Sequence, residues 1–218
     1  MTDYNPATIS RQVAQSLLDI EAVFLRPDQP FIWASGIKSP IYTDNRLVLT
    51  APVQRTIIAD ALAATITERF PGTQVLMGTA TAGIAHAALA AERLGLPMGY
   101  VRGSAKGHGR ANQIEGRLEP GQRVVVVEDL ISTGGSVLDV VDALRDAGAE
   151  VLGVVALFTY GMTKAHAAFE QADVALFALT NFDDVVDIAV RNGSIAADAA
   201  PRLRAFRDNP QDQSWMEG

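Results

Sequence analysis

Residues 123–138 have the sequence RVVVVEDLISTGGSVL. Four consecutive valines are typical of a strand that is buried on both faces, as in a parallel sheet. Two acids follow, Glu128 and Asp129, and then a segment rich in hydroxyl groups and glycine. Beyond it the apolar residues change to helical spacing, at Val137, Val140, Val141 and Leu144. The stretch therefore predicts a buried strand, an acidic pair, a short loop and a helix.

The acidic pair and the glycine-containing loop of this stretch would bind different parts of one ligand. Carboxylates at the carboxyl end of a buried strand lie where open α/β sheets bind ligands, and they accept hydrogen bonds from sugar hydroxyls. A glycine-containing loop before a helix N-terminus presents free backbone N–H groups to a phosphate. A ribose phosphate satisfies both requirements. The alternative is an ordinary turn in which Glu128 is solvated and Ser136 caps the helix. The cluster of hydroxyls and glycines favours the ligand site.

The segment VVVVEDLISTGGS resembles the phosphoribosyl pyrophosphate (PRPP) motif of the type I phosphoribosyltransferases. That motif is an apolar strand, two acids, two apolar residues and a run of Thr, Gly and Ser. The resemblance implies an α/β fold with a central, mostly parallel twisted sheet flanked by helices and a small N-terminal hood. It also implies PRPP contacts from Glu128, Asp129, Leu130, Ile131, Ser132, Thr133, Gly134, Gly135 and Ser136. The acids would hold the ribose hydroxyls and the loop the 5′-phosphate.

Residues 31–45, FIWASGIKSPIYTDN, contain a second indicator. The apolar ends predict two short strands around a turn at Ser35–Gly36, and a plain β-hairpin with Lys38 exposed satisfies the local pattern. The segment resembles the hood of the orotate phosphoribosyltransferases, which have a Ser-Gly-x-x-Ser-Pro signature before an aromatic residue. Because it precedes a PRPP motif, we favour a base-binding role. The candidates for contacting a flat, anionic pyrimidine are Lys38, Tyr42, Arg46 and Ser132.

Residues 74–94 repeat the order of strand, small-residue loop and helix, with GTATAG at 78–83. In the resembled family the equivalent loop holds the pyrophosphate through backbone groups. This assigns Thr79, Ala80 and Thr81 to PRPP. A small-residue turn that serves only close packing is the alternative. His86 lies in the helix and is expected to be packed rather than a ligand.

Residues 102–113, RGSAKGHGRANQ, combine glycines and cations without an apolar period. Such a composition predicts a mobile surface loop. A lid over an anionic group and a solvated hairpin loop explain the composition equally well. The segment resembles the flexible catalytic loop of the orotate phosphoribosyltransferases, which implies that Arg102, Lys106 and His108 neutralise the leaving pyrophosphate. The resemblance also implies a homodimer whose 102–113 loop acts on the neighbouring subunit's site.

Four residues depart from the best-known orotate enzymes. Gly103 and Ala82 stand where those enzymes have lysines in the loop and in the pyrophosphate turn. Ala34 replaces a lysine before the hood signature, and Tyr160 replaces an arginine that meets the carboxylate of the base. The partner of the orotate carboxylate therefore stays open among Lys38, Arg46 and backbone N–H groups.

The reaction implied by the resemblance joins orotate to PRPP and releases orotidine 5′-monophosphate and pyrophosphate, a step of pyrimidine (UMP) biosynthesis. Substitution at an anomeric carbon passes through an oxocarbenium-like state, so no protein nucleophile is required. Catalysis then rests on positioning and on stabilising the departing charge. The expected catalytic residues are Lys106, His108, Glu128 and Asp129. Mg²⁺ is the expected cofactor, held mainly by PRPP and water without a direct protein ligand.

The whole chain of 218 residues is expected to form a single phosphoribosyltransferase domain. The hood would span about residues 1–50, the core about 51–190 and a polar C-terminal tail about 192–218, in which Trp215 either docks or hangs free. Further helices are predicted at 6–20, 53–70, 163–171 and 183–191, and further strands at 98–101, 114–118, 151–159 and 174–179.

Composition limits the class of protein. A net charge of −7 disfavours nucleic acid or a membrane surface as the main partner. The chain has no cysteine, no signal-peptide core and no apolar run of transmembrane length, so a cytoplasmic enzyme is expected. A purine phosphoribosyltransferase would differ in the hood segment SGIKSPIY. A regulator of the same fold would bind PRPP without catalysis and would need a basic DNA-binding segment. A dinucleotide dehydrogenase would need G-x-G-x-x-G after its first strand, which is absent.

Overall fold

The structure is a computed structural model that describes residues 4–32, 36–103 and 113–216. The helices are α1 (Pro6–Asp19), α2 (Pro52–Arg69), α3 (Ala82–Leu94), α4 (Gly135–Asp146), α5 (Thr163–Gln171), α6 (Phe182–Arg191) and α7 (Ala199–Asp208). The strands are β1 (Val23–Leu25), β2 (Phe31–Ile32), β3 (Lys38–Ser39), β4 (Ile41–Thr43), β5 (Val75–Thr79), β6 (Met98–Val101), β7 (Ile114–Glu115), β8 (Arg123–Ile131), β9 (Glu150–Thr159) and β10 (Ala175–Asn181). Short 3₁₀ helices span Asn45–Thr50 and Ser214–Met216.

Six strands form the central sheet in the order β10-β9-β8-β5-β6-β7. Neighbouring strands are parallel except β6 and β7, which are antiparallel. The mostly parallel sheet flanked by helices confirms the predicted fold class. The predicted strand over 114–118 is shorter than expected, because Gly116 turns the chain with a φ of +105° directly after Glu115.

The four valines of β8 are fully buried because helices cover both faces of the sheet. Val125 and Val127 belong to a core that includes residues of α1, α2, α3, α6 and α7. Val124 and Val126 belong to a second core formed with α4 and α5. This alternation confirms the expectation of a strand buried on both faces.

Strand β8 extends four residues beyond the valines and includes the acidic pair. Strand β9 pairs with it as far as Ile131, opposite Thr159. Strand β5 pairs with it only as far as Val127, opposite Gly78. The end of β8 therefore projects past β5 while β9 still pairs with it, which leaves one backbone edge of residues 128–131 without a neighbouring strand.

An antiparallel pair does span the turn predicted at residues 35–36, but its second strand is β3 rather than the predicted strand at 41–42. Strand β2 pairs with β3, whereas β4 pairs with β1. Pro40 separates β3 from β4; it has no N–H to donate, and its carbonyl accepts a hydrogen bond from Arg26 N at 2.7 Å. Residues 33–35 of the hood signature lie outside the described residues.

The C-terminal segment is docked rather than free. Trp215 is 4% exposed and packs edge-on against Phe206 of α7, with ring centroids 5.7 Å apart. Arg202 donates from Nε to the Trp215 carbonyl at 3.0 Å and from Nη1 to Asp28 at 2.8 Å. Helix α7 is an element that the sequence analysis missed. Within the described part of the chain, no helix is both long and apolar enough to cross a membrane.

Candidate active site

The acidic pair lies at the carboxyl end of β8. Glu128 is 7% exposed, and its Oε1 accepts a hydrogen bond from the backbone N–H of Asp129 at 2.8 Å. Burial, and then the neighbouring Asp129 side chain, raise the pKa of Glu128 to about 8. Asp129 is only half-buried. The pair therefore combines a buried carboxyl group that resists ionisation with a carboxylate that water or a ligand can reach.

The loop after β8 leads directly into α4. Gly134 occupies the position before the helix with a φ of +85°, a conformation that favours glycine, and no side chain caps the helix. A Cβ at Gly134 would also lie 2.9 Å from Cε2 of Phe169. Ser136 lies within the first turn, so it is not the cap, and Glu128 is not solvated. The ordinary-turn alternative is thus wrong on both counts, and the first N–H groups of α4 are available to an anion.

A second loop lies beside the end of β8. It comprises Thr79, the last residue of β5, and Ala80 and Thr81 after it, with a cis peptide between Ala80 and Thr81. Thr79 Oγ1 donates to the carbonyl of Val127 at 3.4 Å. A Cβ on Gly83 would lie far inside van der Waals contact with both of those groups. The small residues of this loop therefore serve close packing of α3 against β5 and β8, and the loop also lies next to the acidic pair.

The hood candidates for the base lie on β3, β4 and the 3₁₀ helix. Tyr42 is 42% exposed and its ring centroid lies 5.6 Å from that of Phe31. Asp44 holds Arg46 in a bidentate pair, with Nε–Oδ1 at 2.7 Å and Nη2–Oδ2 at 2.9 Å, and raises its pKa. Tyr42 and Asp129 also act electrostatically on Arg46. The structure thus brings Arg46 near both Asp129 and Tyr42, whereas Lys38 is exposed on β3 opposite Ile32.

Two side chains that the sequence analysis did not assign to the site join the hood to the core. The Tyr160 hydroxyl donates to Thr43 Oγ1 at 3.3 Å, and Tyr160 is buried. Asn45 donates from Nδ2 to the backbone carbonyl of Asp129 at 2.7 Å. Their partners lie more than 80 positions away in the chain, so neither spacing nor composition signals these contacts. His86 is buried, as expected, and burial lowers its pKa.

The predicted catalytic loop begins and ends at the edge of the sheet. Arg102 donates from its backbone N–H to the Gln113 carbonyl at 2.9 Å, and its Nε lies 3.1 Å from Glu115 Oε1. Lys106 and His108 lie outside the described residues. Arg102 directly follows β6, which is separated from β8 by β5. Since β5 and β6 are parallel, Arg102 lies at the same end of these strands as the Thr79–Thr81 loop.

A direct protein site for a metal ion is not evident in the described ranges. No group of three or more His, Asp or Glu side chains there is arranged to hold an ion. The Asp129 carboxylate and the carboxyl group of Glu128 nevertheless provide hard oxygen atoms, which suit the water shell of a magnesium complex.

Comparison with known proteins identifies the family. The model of the phosphoribosyl transferase domain matches residues 49–188. The chain belongs to the phosphoribosyltransferase family. The matched region of this phosphoribosyltransferase contains both phosphate-type loops and the acidic pair, whereas Lys38, Tyr42 and Arg46 precede it.

Curated relatives of this phosphoribosyltransferase are similar to it over almost the whole chain, including the hood. The orotate phosphoribosyltransferase of Bacillus pumilus is 55% identical over 206 residues, which cover 94% of this chain and 97% of that protein. The orotate phosphoribosyltransferase of Bacillus subtilis is 52% identical over 205 residues, which cover 94% of this chain and 95% of that protein. A crystal structure of orotate phosphoribosyltransferase from Aeropyrum pernix superposes with a TM-score of 0.73 at 31% identity, and covers 84% of this chain and 99% of that one.

Proposed function

We propose that this protein transfers the phosphoribosyl group of PRPP to orotate, giving orotidine 5′-monophosphate and pyrophosphate. The observation that carries the proposal is the similarity to orotate phosphoribosyltransferases over 94% of the chain, which includes the hood as well as the PRPP motif. A purine phosphoribosyltransferase shares the motif but not this hood. A non-catalytic PRPP-binding regulator is disfavoured because the relatives with this extent of similarity are enzymes by name.

In this proposal the end of β8 holds the ribose. Asp129 is accessible and would accept hydrogen bonds from the ribose hydroxyls. Glu128 is buried behind it and would face the same sugar, where its negative form is favoured as positive charge develops on the ring. The backbone N–H groups of Ser132 to Ser136 would bind the 5′-phosphate, since the N-terminus of α4 is uncapped and favours an anion.

The leaving group would be held from the opposite side. Backbone groups of Thr79 to Thr81 would contact the pyrophosphate, and Lys106, His108 and Arg102 would neutralise its charge. Arg102 already pairs with Glu115, so binding of pyrophosphate would compete with that ion pair. The nucleophile is the base itself, and the protein's contribution is to align the two reactants and exclude water.

The base would lie between the PRPP loop and the hood. Tyr42 offers an exposed ring for stacking, Arg46 a cation, and Ser132 a hydroxyl near the base. Because Asp44 neutralises part of the charge on Arg46, backbone N–H groups and Lys38 remain competing partners for the orotate carboxylate.

Three further elements complete the proposal. Mg²⁺ would be the cofactor, held mainly by PRPP and water, and would screen the charge of the pyrophosphate when bound. The carboxylates of Glu128 and Asp129 would face that complex. The enzyme would act in the cytoplasm as a homodimer in which the 102–113 loop closes over the neighbouring subunit's site.

The direct test is a PRPP- and Mg²⁺-dependent loss of orotate absorbance, run beside adenine, hypoxanthine and uracil. Wild type should consume orotate alone, and Lys106→Ala should lower kcat by about a hundredfold or more if the lysine stabilises the departing charge. Arg11→Ala is the control, because Arg11 is an exposed cation on α1, a helix that carries no residue of the proposed site. Turnover of a purine would contradict the role of the hood, and PRPP binding without turnover of any base would contradict enzymatic function.

A further inference from the structure

One hydrogen bond joins the hood directly to the strand that carries the acidic pair. Asn45 begins the 3₁₀ helix that follows β4, and its Nδ2 lies 2.7 Å from the backbone carbonyl of Asp129. A carbonyl can only accept, so the chemistry of the partner fixes which end of the amide faces β8. Asn45 is 2% exposed, which means that the bond is shielded from water.

The bond occupies a gap that the sheet leaves. The last residue of β8 paired with β5 is Val127, and β8 continues to Ile131 without that neighbour. A backbone carbonyl beyond this point needs another donor if it is to remain paired when buried. The Asn45 amide supplies that donor at Asp129. The side chain thus replaces a strand at the residue whose carboxylate is proposed to hold the ribose.

Local stability does not explain the choice of asparagine. The second amide atom, Oδ1, is buried and has no hydrogen-bond partner among the residues that the structure describes. An unpaired buried acceptor costs stability, on the order of 1–3 kcal/mol. Sequences tend to break such local rules at functional positions. Asparagine at this position therefore fits a role that depends on the hydrogen bond donated by Nδ2, and not on pairing both ends of the side-chain amide.

The two neighbours of Asn45 belong to the other half of the site. Asp44 forms the bidentate pair with Arg46, a candidate partner of the base, and Asp129 acts electrostatically on Arg46. The same short segment therefore carries a base candidate and a bond to the ribose candidate. A shift of this segment would move both groups relative to each other.

We propose that Asn45 is a positioning residue that holds the backbone of Asp129 in place and thereby aligns the ribose carboxylate with the base side of the site. This inference rests on the proposed function, since it deepens the role given there to Asp129. Asn45 touches neither substrate in this proposal and acts through Asp129. Its loss is expected to weaken PRPP binding and to lower kcat/KM, whereas the fold persists.

The first measurement is PRPP affinity by calorimetry in the presence of Mg²⁺, together with kcat and KM for both substrates. Asn45→Ala and the isosteric Asn45→Asp, which cannot donate when ionised, should each weaken PRPP binding about tenfold, as one lost hydrogen bond predicts. Asn181→Ala is the matched control. Asn181 accepts from Asp184 N at 3.0 Å and caps α6, outside the proposed site. The control should lose stability while its PRPP affinity stays within twofold.

A double-mutant cycle separates positioning from general destabilisation. If Asn45 acts through the Asp129 carboxylate, then Asn45→Ala should change PRPP affinity less than twofold in an Asp129→Asn background. Additive losses would overturn the proposal, as would equal weakening of PRPP binding in Asn45→Ala and Asn181→Ala.

The cycle does not depend on the identity of the base, because it uses PRPP alone. Wild type that binds PRPP but turns over no orotate would defeat the proposed function while the cycle still tests Asn45. Orotate turnover with an additive cycle would defeat the positioning role and leave the proposed function in place.

Discussion

The buried carboxyl group of Glu128 accepts a hydrogen bond from the backbone N–H of Asp129, the residue directly after it, at 2.8 Å. The contact keeps the first acid of the motif folded back against its own strand. Burial raises the pKa of Glu128 from 4.5 to about 8, which makes this group the clearest source of pH dependence near the site.

Stability should therefore fall as pH rises across this interval. Below pH 4.5 Glu128 is protonated in the folded and the unfolded chain; between 4.5 and about 8 only the unfolded chain ionises, which favours unfolding. The free energy of unfolding of wild type relative to Glu128→Gln should decline across that window, by a few kcal/mol at most, on the order expected from a shift of this kind. Urea titrations at several pH values would measure it. Glu68→Gln, on the exposed face of α2, should show a flat difference.

Alanine substitutions at Gly83 and Gly135 should separate a glycine needed for core packing from one needed for the approach of a ligand. Gly83→Ala should destabilise the protein by about 1–3 kcal/mol, because its Cβ would overlap Thr79 and the Val127 carbonyl. Gly135→Ala meets nothing within 4 Å and should leave stability unchanged or slightly higher. It should nevertheless weaken PRPP binding if the 5′-phosphate occupies that open space. Equal thermal stability of the two variants would contradict the packing argument.

The bond between hood and core at Tyr160 can be tested separately. Tyr160→Phe removes the hydroxyl that donates to Thr43 Oγ1 and should lower the free energy of unfolding by about 1 kcal/mol. Thr43→Val removes the other partner with little change in shape. If the two hydroxyls act on each other, the double variant should lose less than the sum of the single losses in urea denaturation. Strict additivity would show that the hydroxyls contribute independently.

The docked C-terminal segment should contribute measurably to stability. Trp215→Ala would remove a buried ring that packs on Phe206 and should cost about 3 kcal/mol. Trp215→Phe should cost much less, since the indole Nε1 is buried and has no partner among the described residues. Guanidinium denaturation would compare the two. A negligible effect of the alanine variant would mean that the segment does not stay docked in solution.

The central elements were predictable because each carries a local signal. Between Arg123 and Leu144 the apolar pattern changes from the valine run of a buried strand to the spacing of a helix, with a glycine-rich turn between them. The observed β8 and α4 follow that change. Most other elements agree with their predicted bounds to within two residues for the same reason.

The parts that were not predictable depend on distant partners. Strand β2 pairs with β3 across the predicted turn, but β4 pairs with β1, a partner that no local turn signal indicates. The contacts of Asn45 and Tyr160 depend on the folded sheet. Helix α7 was not predicted because its three arginines make the segment polar on average, although Ala199, Leu203 and Phe206 are buried at helical spacing. The PRPP and orotate contacts themselves remain predictions.

The antiparallel pairing of β6 with β7 has an evolutionary consequence. Because Arg102 and Gln113 are joined by a backbone hydrogen bond, the chain between them starts and finishes at one point on the sheet edge. The entropy of closing such a segment depends only weakly on its length. Mutation or insertion between Arg102 and Gln113 therefore need not disturb the pairing of β6 with β7, so this part of the chain can change in evolution independently of the sheet that supports it.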